Sequence, residues 1–412
     1  MASKKLKGWR CTVFPKGFNA GGIEAGISKK KAKKDIAVFY SQLPAQCAAM
    51  FTNNLVKAAP VALSRKHIEI VPHVRAIVAN SGCANACTGK QGLRDAERMC
   101  EITADRWGVS TEEVLVASTG VIGQFLPMAK IDSGITGLIH AMRAKKGDPN
   151  AAAAAILTTD TKVKVAQAKI SAGGKNVTIW GCAKGSGMIH PDLGFPHATM
   201  LAFILTDAAI ELALLEEALA VAADNSFNCI SVDGDTSTND SVFILANGAA
   251  GNRLISRPGS DLAAFSVALQ KVCLELSKKI VLDGEGATKL AEIEVRGASD
   301  DSDARKIASV IATSPLVKTA LFGNDANWGR ILAACGRAGV PFEPQNVSIN
   351  IGGMTVAENG MAKKFSEKRA KRLLSKKEVH IVVDLHKGTG RGVYYTCDFS
   401  FDYVKINASY RS

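Results

Sequence analysis

The segment GSGMIHPDLGFPHATMLAF, residues 185–203, brings a threonine to the start of an apolar run. Thr199 follows a stretch that contains the turn-forming residues Pro191 and Pro196, and a strand-like sequence begins directly after it. A threonine hydroxyl is a weak nucleophile unless a base lies beside it. When the threonine is the first residue of a chain, its own α-amine, with a pKa of about 8, can take the hydroxyl proton.

Such an amine would arise inside this chain if the bond between Ala198 and Thr199 were cut. The Thr199 hydroxyl can attack the preceding carbonyl in an N-to-O acyl shift, helped by a strained turn, and the small Ala198 leaves that carbonyl uncrowded. The alternative is a β-branched residue that opens a strand, which is the commonest role for a threonine at such a position. Both interpretations stay open on this segment alone.

Three further segments carry groups that suit acyl transfer. In VASTGVIGQ, Thr119 and Gly120 can offer a hydroxyl and a backbone N–H to an oxyanion. In GCAKGSGM, Lys184 stands beside two glycines, which is typical of an anion-binding loop, although a P-loop has its lysine after the glycines. In LDGEGATKL, Glu285 lies between glycines after a predicted helix, where it can meet an ammonium group.

Metal binding has little support in the sequence. The segments LTTDTK and VDGDTSTNDS are dense in hydroxyls and carboxylates, which is typical of calcium-like loops or of capped helix starts, but neither has EF-hand spacing. Cys83 and Cys87 form the only close cysteine pair, and no second pair or histidine lies nearby to complete a zinc site. We therefore expect no metal.

Short β-branched runs and helical patterns share the chain. The predicted strands are DIAVFY, VRAIVAN, EVLVAST, NVTIWGC, MLAFILT, SVFILAN, LAEIEVRG, NVSINI, VHIVVDL and GVYYTCDF. Apolar residues at helical spacing predict helices within 208–227, 261–281, 303–313 and 327–339. Because strands and helices do not alternate steadily, an α+β fold with layers is favoured over a regular doubly wound sheet.

Composition limits the class of protein more than its function. The 412 residues suggest two or three domains or one large one, and 51 Lys and Arg against 38 Asp and Glu favour anionic partners. The basic runs 28–34 and 361–378, the second read as a helix with a thin apolar stripe, lack the interleaved aromatic residues of a nucleic-acid platform. No secretory signal or transmembrane run is found, so we expect a cytoplasmic protein without nucleic-acid or membrane partners.

Several longer motifs, in order along the chain, resemble the ornithine acetyltransferase family, also called glutamate N-acetyltransferase. The resemblance runs from GGIEAGI to the last residue. The motifs that carry it are STGVIG, TTDT, AKGSGMIHP, ATML, DTSTND, DGEGATK, SPLVKTALFGNDANWGR and YVKINASYRS.

The resemblance implies a layered α/β sandwich of the self-processing N-terminal-nucleophile-like type. It implies cleavage into an α chain, 1–198, and a β chain, 199–412, that stay together and pair as α2β2. The implied reaction moves acetyl from N2-acetyl-L-ornithine to L-glutamate in arginine biosynthesis by a ping-pong route through acetyl-threonine. No cofactor is implied, although acetyl-CoA stays open as a co-substrate.

Matched residue by residue, the resemblance makes Thr199 the nucleophile and Ala198–Thr199 the cleaved bond, and it makes Thr119 and Gly120 the oxyanion hole. The substrate-binding positions that it implies are Thr158, Lys184, Thr199, Glu285, Asn407 and Ser412. One segment departs from the family pattern. Six residues, 192–197, separate Pro191 from Ala198 where the pattern has two, and either self-cleavage is affected or the extra residues bulge outward, as loops tolerate.

Three alternatives remain at this stage. A bifunctional enzyme would also take acetyl from acetyl-CoA and make N-acetylglutamate. A self-processing amidase or aminopeptidase would pass the acyl group to water instead of to glutamate. A basic RNA-binding protein, the non-enzyme alternative, is supported only by the net charge of +13.

Overall fold

Two compact units make up the part of the chain that the computed structural model describes, residues 12–28, 32–52, 54–145, 147–191 and 200–409. The first unit contains the described residues within 1–185, 191–228 and 235–277, and the second those within 186–190, 229–234 and 278–412. Each unit has its own sheet with helices packed on it. The predicted α+β class with layers is confirmed.

Strands and helices follow one another along both units. Up to residue 282 the elements are β1 Phe18–Ile23, β2 Ile36–Phe51, α1 Ala59–Ile70, β3 Val74–Cys83, α2 Gly89–Trp107, β4 Val114–Val121, α3 Met128–Ala144, α4 Pro149–Ala155, β5 Lys164–Ala172, β6 Lys175–Lys184, β7 Leu201–Thr206, α5 Leu212–Asp224, β8 Ile230–Ser231, β9 Ser241–Ala246 and α6 Ser260–Leu282. After it come β10 Leu290–Ala298, α7 Asp301–Ala312, α8 Pro315–Gly323, α9 Trp328–Gly336, β11 Ser348–Ile351, β12 Met354–Glu358, β13 Met361–Ala362, α10 Glu367–Leu374, β14 Glu378–Asp384, β15 Gly390–Cys397 and α11 Phe401–Ala408.

The sheet of the first unit has the strand order β4-β3-β2-β9-β7-β6-β5, with β1 on β2. Its central strands are buried on both faces, which explains their continuous apolar sequences. In β2, Ala37 and Phe39 belong to one core, and Ile36 and Val38 belong to the other. The first core also contains side chains of α4, and the second contains side chains of α2 and α3. The sheet is therefore a layer between helices.

Strand β7 is central to this sheet although the chain is predicted to be cut just before it. It pairs antiparallel with β6, with Lys184 opposite Leu201, and parallel with β9, with Leu201 opposite Ser241. Strand β9 in turn pairs with β2. The predicted cleavage bond thus lies, along the sequence, in the connection between two strands that are hydrogen-bonded neighbours.

The second unit has the strand order β13-β12-β11-β14-β10-β15-β8. Alternate residues of β10 face opposite sides: Ile293 and Val295 enter a core with side chains of α7, α8, α9 and α10, whereas Glu294 lies on the other side with Arg296 and Arg391. This alternation of apolar and charged residues is that of a strand with one face on a core.

The basic segment 361–378 differs from its prediction. Helix α10 covers only Glu367–Leu374, and Met361–Ala362 forms the short strand β13. Ala370 and Leu374 are the buried residues of α10, so the apolar contact is as thin as the sequence indicated. Within the described ranges no helix is long and apolar enough to cross a membrane.

Candidate functional site

Thr119 and Gly120 lie near the end of β4, beside the equivalent end of the parallel strand β3. We call residues Ser118–Gly120 the oxyanion strand. Gly120 has a φ of +138°, and a Cβ there would lie 2.3 Å from the carbonyl carbon of Gly82. The pairing register shifts at this point. Only glycine fits so close an approach of two backbones at such a φ.

Lys184 is the last residue of β6 and is only 3 % exposed. Its Nζ donates a hydrogen bond to Thr119 Oγ1 over 3.2 Å. Since an ammonium group can only donate, the Thr119 oxygen accepts and its own hydrogen stays directed at another acceptor. Lys184 thus ends a buried strand, and the glycines of the predicted anion-binding loop, Gly185 and Gly187, follow directly after that strand.

Asp160 connects the TTDT segment to the end of β6. Its carboxylate accepts hydrogen bonds from Lys164 Nζ at 2.6 Å, the Gly185 N–H at 2.8 Å and the Thr158 N–H at 3.0 Å. Burial by itself would raise the pKa of Asp160, but the Lys164 and Lys184 ammonium groups and these hydrogen bonds hold it well below its usual range. Thr158 is thereby tied to the same cluster as Lys184.

Asp240 is the second carboxyl group near Lys184, and it stands just before β9. It is 1 % exposed, and neither of its side-chain oxygens has a hydrogen-bond partner of normal geometry. Burial raises the pKa of Asp240 well above its usual range, and the Lys184 ammonium and nearby backbone N–H groups offset this only in part. The two carboxyl groups near Lys184 therefore differ, because the pKa of Asp160 is lowered and the pKa of Asp240 is raised.

In the second unit, Glu285 lies in the turn after α6 and is 7 % exposed. Its N–H donates to the Ser186 carbonyl at 2.8 Å. A Cβ on Gly187 would lie 2.5 Å from the Glu285 carboxyl group, so the absence of a side chain there lets the backbone reach that group. Asn407 Nδ2 donates to Glu285 Oε2 at 2.9 Å. Two of the residues that the resemblance implies are therefore in contact.

The C-terminal helix α11 is held against the turn that carries Glu285. Ser400 Oγ donates to the Gly286 carbonyl at 2.6 Å, and Gly286, with a φ of +70°, leaves no room for a side chain beside the Tyr403 N–H. This packing places Asn407, two helical turns beyond Ser400, in contact with Glu285. The part of the C-terminal tail that the structure describes, up to residue 409, therefore folds back onto this turn.

Sequence reasoning missed Asp160, Lys164, Asn239 and Asp240. The segments LTTDTK and VDGDTSTNDS are typical of calcium-like loops or capped helix starts, and in the described residues no group of three or more His, Cys, Asp or Glu side chains can hold a metal ion. Ala198, Thr199, Ser412 and the extra residues 192–197 lie outside the described residues.

Comparison with known proteins identifies relatives over nearly the whole chain. A family model described as the ArgJ family matches residues 19–412. The arginine biosynthesis bifunctional protein ArgJ of Symbiobacterium thermophilum is 50 % identical over 399 residues, covering 97 % of this chain and 98 % of that protein. The protein of the same name from Geobacillus kaustophilus is 48 % identical over 400 residues, covering 97 % and 96 %. A solved chain of ArgJ from Bacillus halodurans is 46 % identical with a TM-score of 0.50, covering 52 % of this chain and 100 % of that chain.

Proposed function

The chain belongs to the ArgJ family of acetyltransferases in arginine biosynthesis, and we propose that it moves acetyl from N2-acetyl-L-ornithine to L-glutamate through Thr199. The observation that carries this mechanism is the buried contact of Lys184 with Thr119, next to the strained Gly120. Lys184 is 65 residues from Thr119 in the sequence, and the resemblance implies both of them, together with Gly120. Lys184 also pairs with Leu201 at the start of β7, two residues after Thr199 in the sequence.

The first step is self-cleavage. The Thr199 hydroxyl attacks the Ala198 carbonyl, the ester C–O bond forms, and the C–N bond breaks as the α-amine of Thr199 takes up the hydroxyl proton. Water then hydrolyses the ester, which releases the Ala198 carboxylate and restores the Thr199 hydroxyl. The pairing of β7 with β6, and of β9 with β2, supports two chains that stay together, because strands from both sides of the cut share one sheet.

The length of a solved relative supports this step. Residues 199–412 make up about 52 % of the chain. The Bacillus halodurans match covers 52 % of this chain and the whole of that solved chain, whereas full-length relatives match 97 % of this chain. The solved chain therefore has the length expected of a β chain released by cleavage.

Acetyl transfer follows in two halves. The Thr199 α-amine takes the hydroxyl proton, the hydroxyl oxygen attacks the acetyl carbonyl, and ornithine leaves with its amine reprotonated. The amine of glutamate then attacks acetyl-threonine, and the Thr199 hydroxyl is restored. The Gly120 N–H and the Thr119 hydroxyl donate to the oxyanion, each worth about 3 kcal/mol. Lys184 polarises the Thr119 hydroxyl and so makes it a stronger donor.

Residues of both charges suit the groups of the substrates. In the first unit, the buried Lys184 ammonium suits a carboxylate. In the second unit, the Glu285 carboxylate, oriented by Asn407, suits an ammonium group. We also propose that the cleaved chains pair as α2β2 and that no cofactor takes part, since the acetyl group passes directly between substrate and threonine.

A steady-state assay tests the proposal. We expect parallel lines in double-reciprocal plots for N-acetylornithine and glutamate, and exchange of labelled ornithine into N-acetylornithine without glutamate. Thr199→Ala is the control that should lack both. Intersecting lines, or no ornithine exchange, would contradict the acetyl-threonine route. The same assay with acetyl-CoA as donor measures whether N-acetylornithine is the sole source of acetyl.

A further inference from the structure

We propose that Asn239 is a positioning residue that holds the oxyanion strand in the geometry needed for catalysis. Asn239 lies in the segment TSTND, residues 236–240, to which neither the sequence nor the proposed mechanism assigns a role. The inference rests on the proposed function, because it concerns the residues that would stabilise the oxyanion.

The Asn239 side chain bridges the ends of two neighbouring strands. It is 5 % exposed, and its Nδ2 donates to the carbonyl of Ala84 at 2.6 Å and to the carbonyl of Ser118 at 2.9 Å. Ala84 directly follows β3, and Ser118 belongs to β4. One amide group thus uses both of its hydrogens to fix the spacing of these two strand ends.

The bond to Ser118 acts on the oxyanion donors through the planar peptide. The Ser118 carbonyl and the Thr119 N–H belong to one rigid peptide unit, so a fixed carbonyl fixes the orientation of the backbone that leads into Thr119 and Gly120. A fixed neighbouring peptide matters at Gly120 because glycine, here with a φ of +138°, has the most conformational freedom of any residue. A second buried amide assists, since Asn80 Oδ1 accepts from Ser118 Oγ at 2.6 Å.

Asn239 is itself held in place by its surroundings. Thr52 donates its N–H to the Asp240 carbonyl at 2.9 Å and its hydroxyl to the Ser237 carbonyl at 2.8 Å. Thr238 Oγ1 donates to Asn239 Oδ1 at 2.5 Å, which orients the amide with Nδ2 toward the two carbonyls. A side chain fixed on both sides can impose a geometry on the strand that it contacts.

A purely structural role is the competing explanation, and Asn252 provides a matched control for it. Asn252 lies in the same unit and is 7 % exposed. Its Nδ2 also donates to two backbone carbonyls, those of Ala209 at 3.1 Å and Arg253 at 2.8 Å. Neither of these carbonyls adjoins the oxyanion strand. Both asparagines should therefore matter similarly for stability, and only Asn239 for catalysis.

The experiment compares Asn239→Ala with Asn252→Ala in the whole chain. We expect Asn239→Ala to lower kcat by about 100-fold, the usual effect of losing one oxyanion donor, with little change in KM for N-acetylornithine and with slower self-cleavage. Activity is expressed per mole of cleaved chain. Asn252→Ala should lower Tm to a similar extent but keep the kcat of the unsubstituted protein.

Two outcomes would overturn the inference: equal kcat values for the two variants, or a rise in KM without a fall in kcat. If Asn239→Ala does not fold, Asn239→Asp keeps the size of the side chain and removes both donated hydrogens, and it should show the same loss of kcat. Failure of the unsubstituted protein to transfer acetyl would refute the proposed function instead, so the two failures are distinct.

Discussion

Two pairs of lysines, one pair in each unit, are buried to a similar extent but have different hydrogen-bond partners. In the first unit, Lys164 and Lys184 are 1 % and 3 % exposed, and in the second, Lys289 and Lys318 are 6 % and 0 % exposed. All four lie in or near motifs that carry the family resemblance. What separates the pairs is the chemical nature of the groups around each ammonium.

The lysines of the second unit each donate to at least one backbone carbonyl and to a neutral side chain. Lys289 Nζ donates to the carbonyls of Leu321 and Leu374 and to the side-chain oxygen of Asn324, so its three hydrogens have acceptors at the ends of α8 and α10. Lys318 donates to the Cys397 carbonyl and to Thr396 Oγ1. Burial lowers the pKa of both lysines. These lysines connect elements of the fold.

The lysines of the first unit contact a carboxylate and a hydroxyl. Lys164 pairs with Asp160 at 2.6 Å and also donates to the Lys162 carbonyl at 3.3 Å, and Lys184 contacts the Thr119 hydroxyl. Of the two carboxyl groups near Lys184, Asp160 has a lowered pKa and Asp240 a raised one. A carboxyl group can change its protonation when a ligand binds, whereas a backbone carbonyl in a helix or strand cannot. We therefore predict that the first pair takes part in the chemistry and that the second pair stabilises the fold.

Replacing one lysine of each pair by methionine tests this assignment and should give the largest effect. Lys184→Met is expected to lower kcat by about 10²- to 10³-fold, because the Thr119 hydroxyl loses its polarising ammonium. Lys318→Met should lower the free energy of unfolding by about 1–3 kcal/mol, because buried acceptors lose their donor, and kcat should change little. Steady-state kinetics and denaturant unfolding measure the two quantities. A folded Lys318→Met variant that is as inactive as Lys184→Met would contradict the distinction between the two pairs of lysines.

The two carboxyl groups near Lys184 should respond oppositely to amidation. Asp160→Asn is expected to destabilise the protein by about 3–5 kcal/mol at neutral pH, since Lys164 loses its buried counter-charge. Because the folded-state pKa of Asp160 is lowered, this contribution is present above its unfolded value of about 3.9 and is lost as the pH falls toward the folded value.

Asp240→Asn should instead increase stability at neutral pH. The folded-state pKa of Asp240 is raised, so native stability falls as the pH rises above the unfolded value of about 3.9, and the amide removes that loss. Free energies of unfolding, measured for both variants across this pH range, show whether the two substitutions change stability in opposite directions. Destabilisation of the same sign and pH dependence in both variants would show that Asp240 is ionised in the native protein.

The smallest expected effect is at the contact between the C-terminal helix and Glu285. Asn407→Ala removes one hydrogen bond to this carboxylate, and we expect KM for N-acetylornithine to rise about 2- to 10-fold, with kcat nearly unchanged. Lys405→Ala, on the same exposed helix, is the control and should leave both constants as they are. An equal rise in KM in both variants would indicate a general disturbance of α11.

Local patterns predicted most of the fold, and where they failed the cause is visible in particular elements. The buried strands, such as β7 and β9, are continuous apolar runs, and α6 and α7 have regular helical spacing. Helix α11 escaped prediction because none of its residues is buried and it has no apolar periodicity toward a core. Helix α2 escaped because its buried stripe includes small and polar residues such as Ala96, Asp95 and Thr103.

The sequence predicted the residues of the site better than the contacts between them. Resemblance supplied Lys184 and Thr119, but their meeting depends on the order of β4 and β6 in the unit, which no local pattern encodes. Asp160 stands in the sequence only as part of the TTDT motif. Its partner Lys164 lies at the start of β5, a strand that the sequence did not predict. Asn239 stands in the sequence only as one residue of the DTSTND motif, and nothing there indicates its contacts, because a buried amide that bonds two carbonyls resembles any loop asparagine.

Intact mass under denaturing conditions tests the central claim most directly. The account predicts two species that meet at Ala198 and Thr199. After N-acetylornithine is added without glutamate, the species that begins with Thr199 should become heavier by one acetyl group, and glutamate should remove that group. A single full-length species in an active preparation, or two species of which neither gains acetyl, would contradict a threonine nucleophile released by self-cleavage.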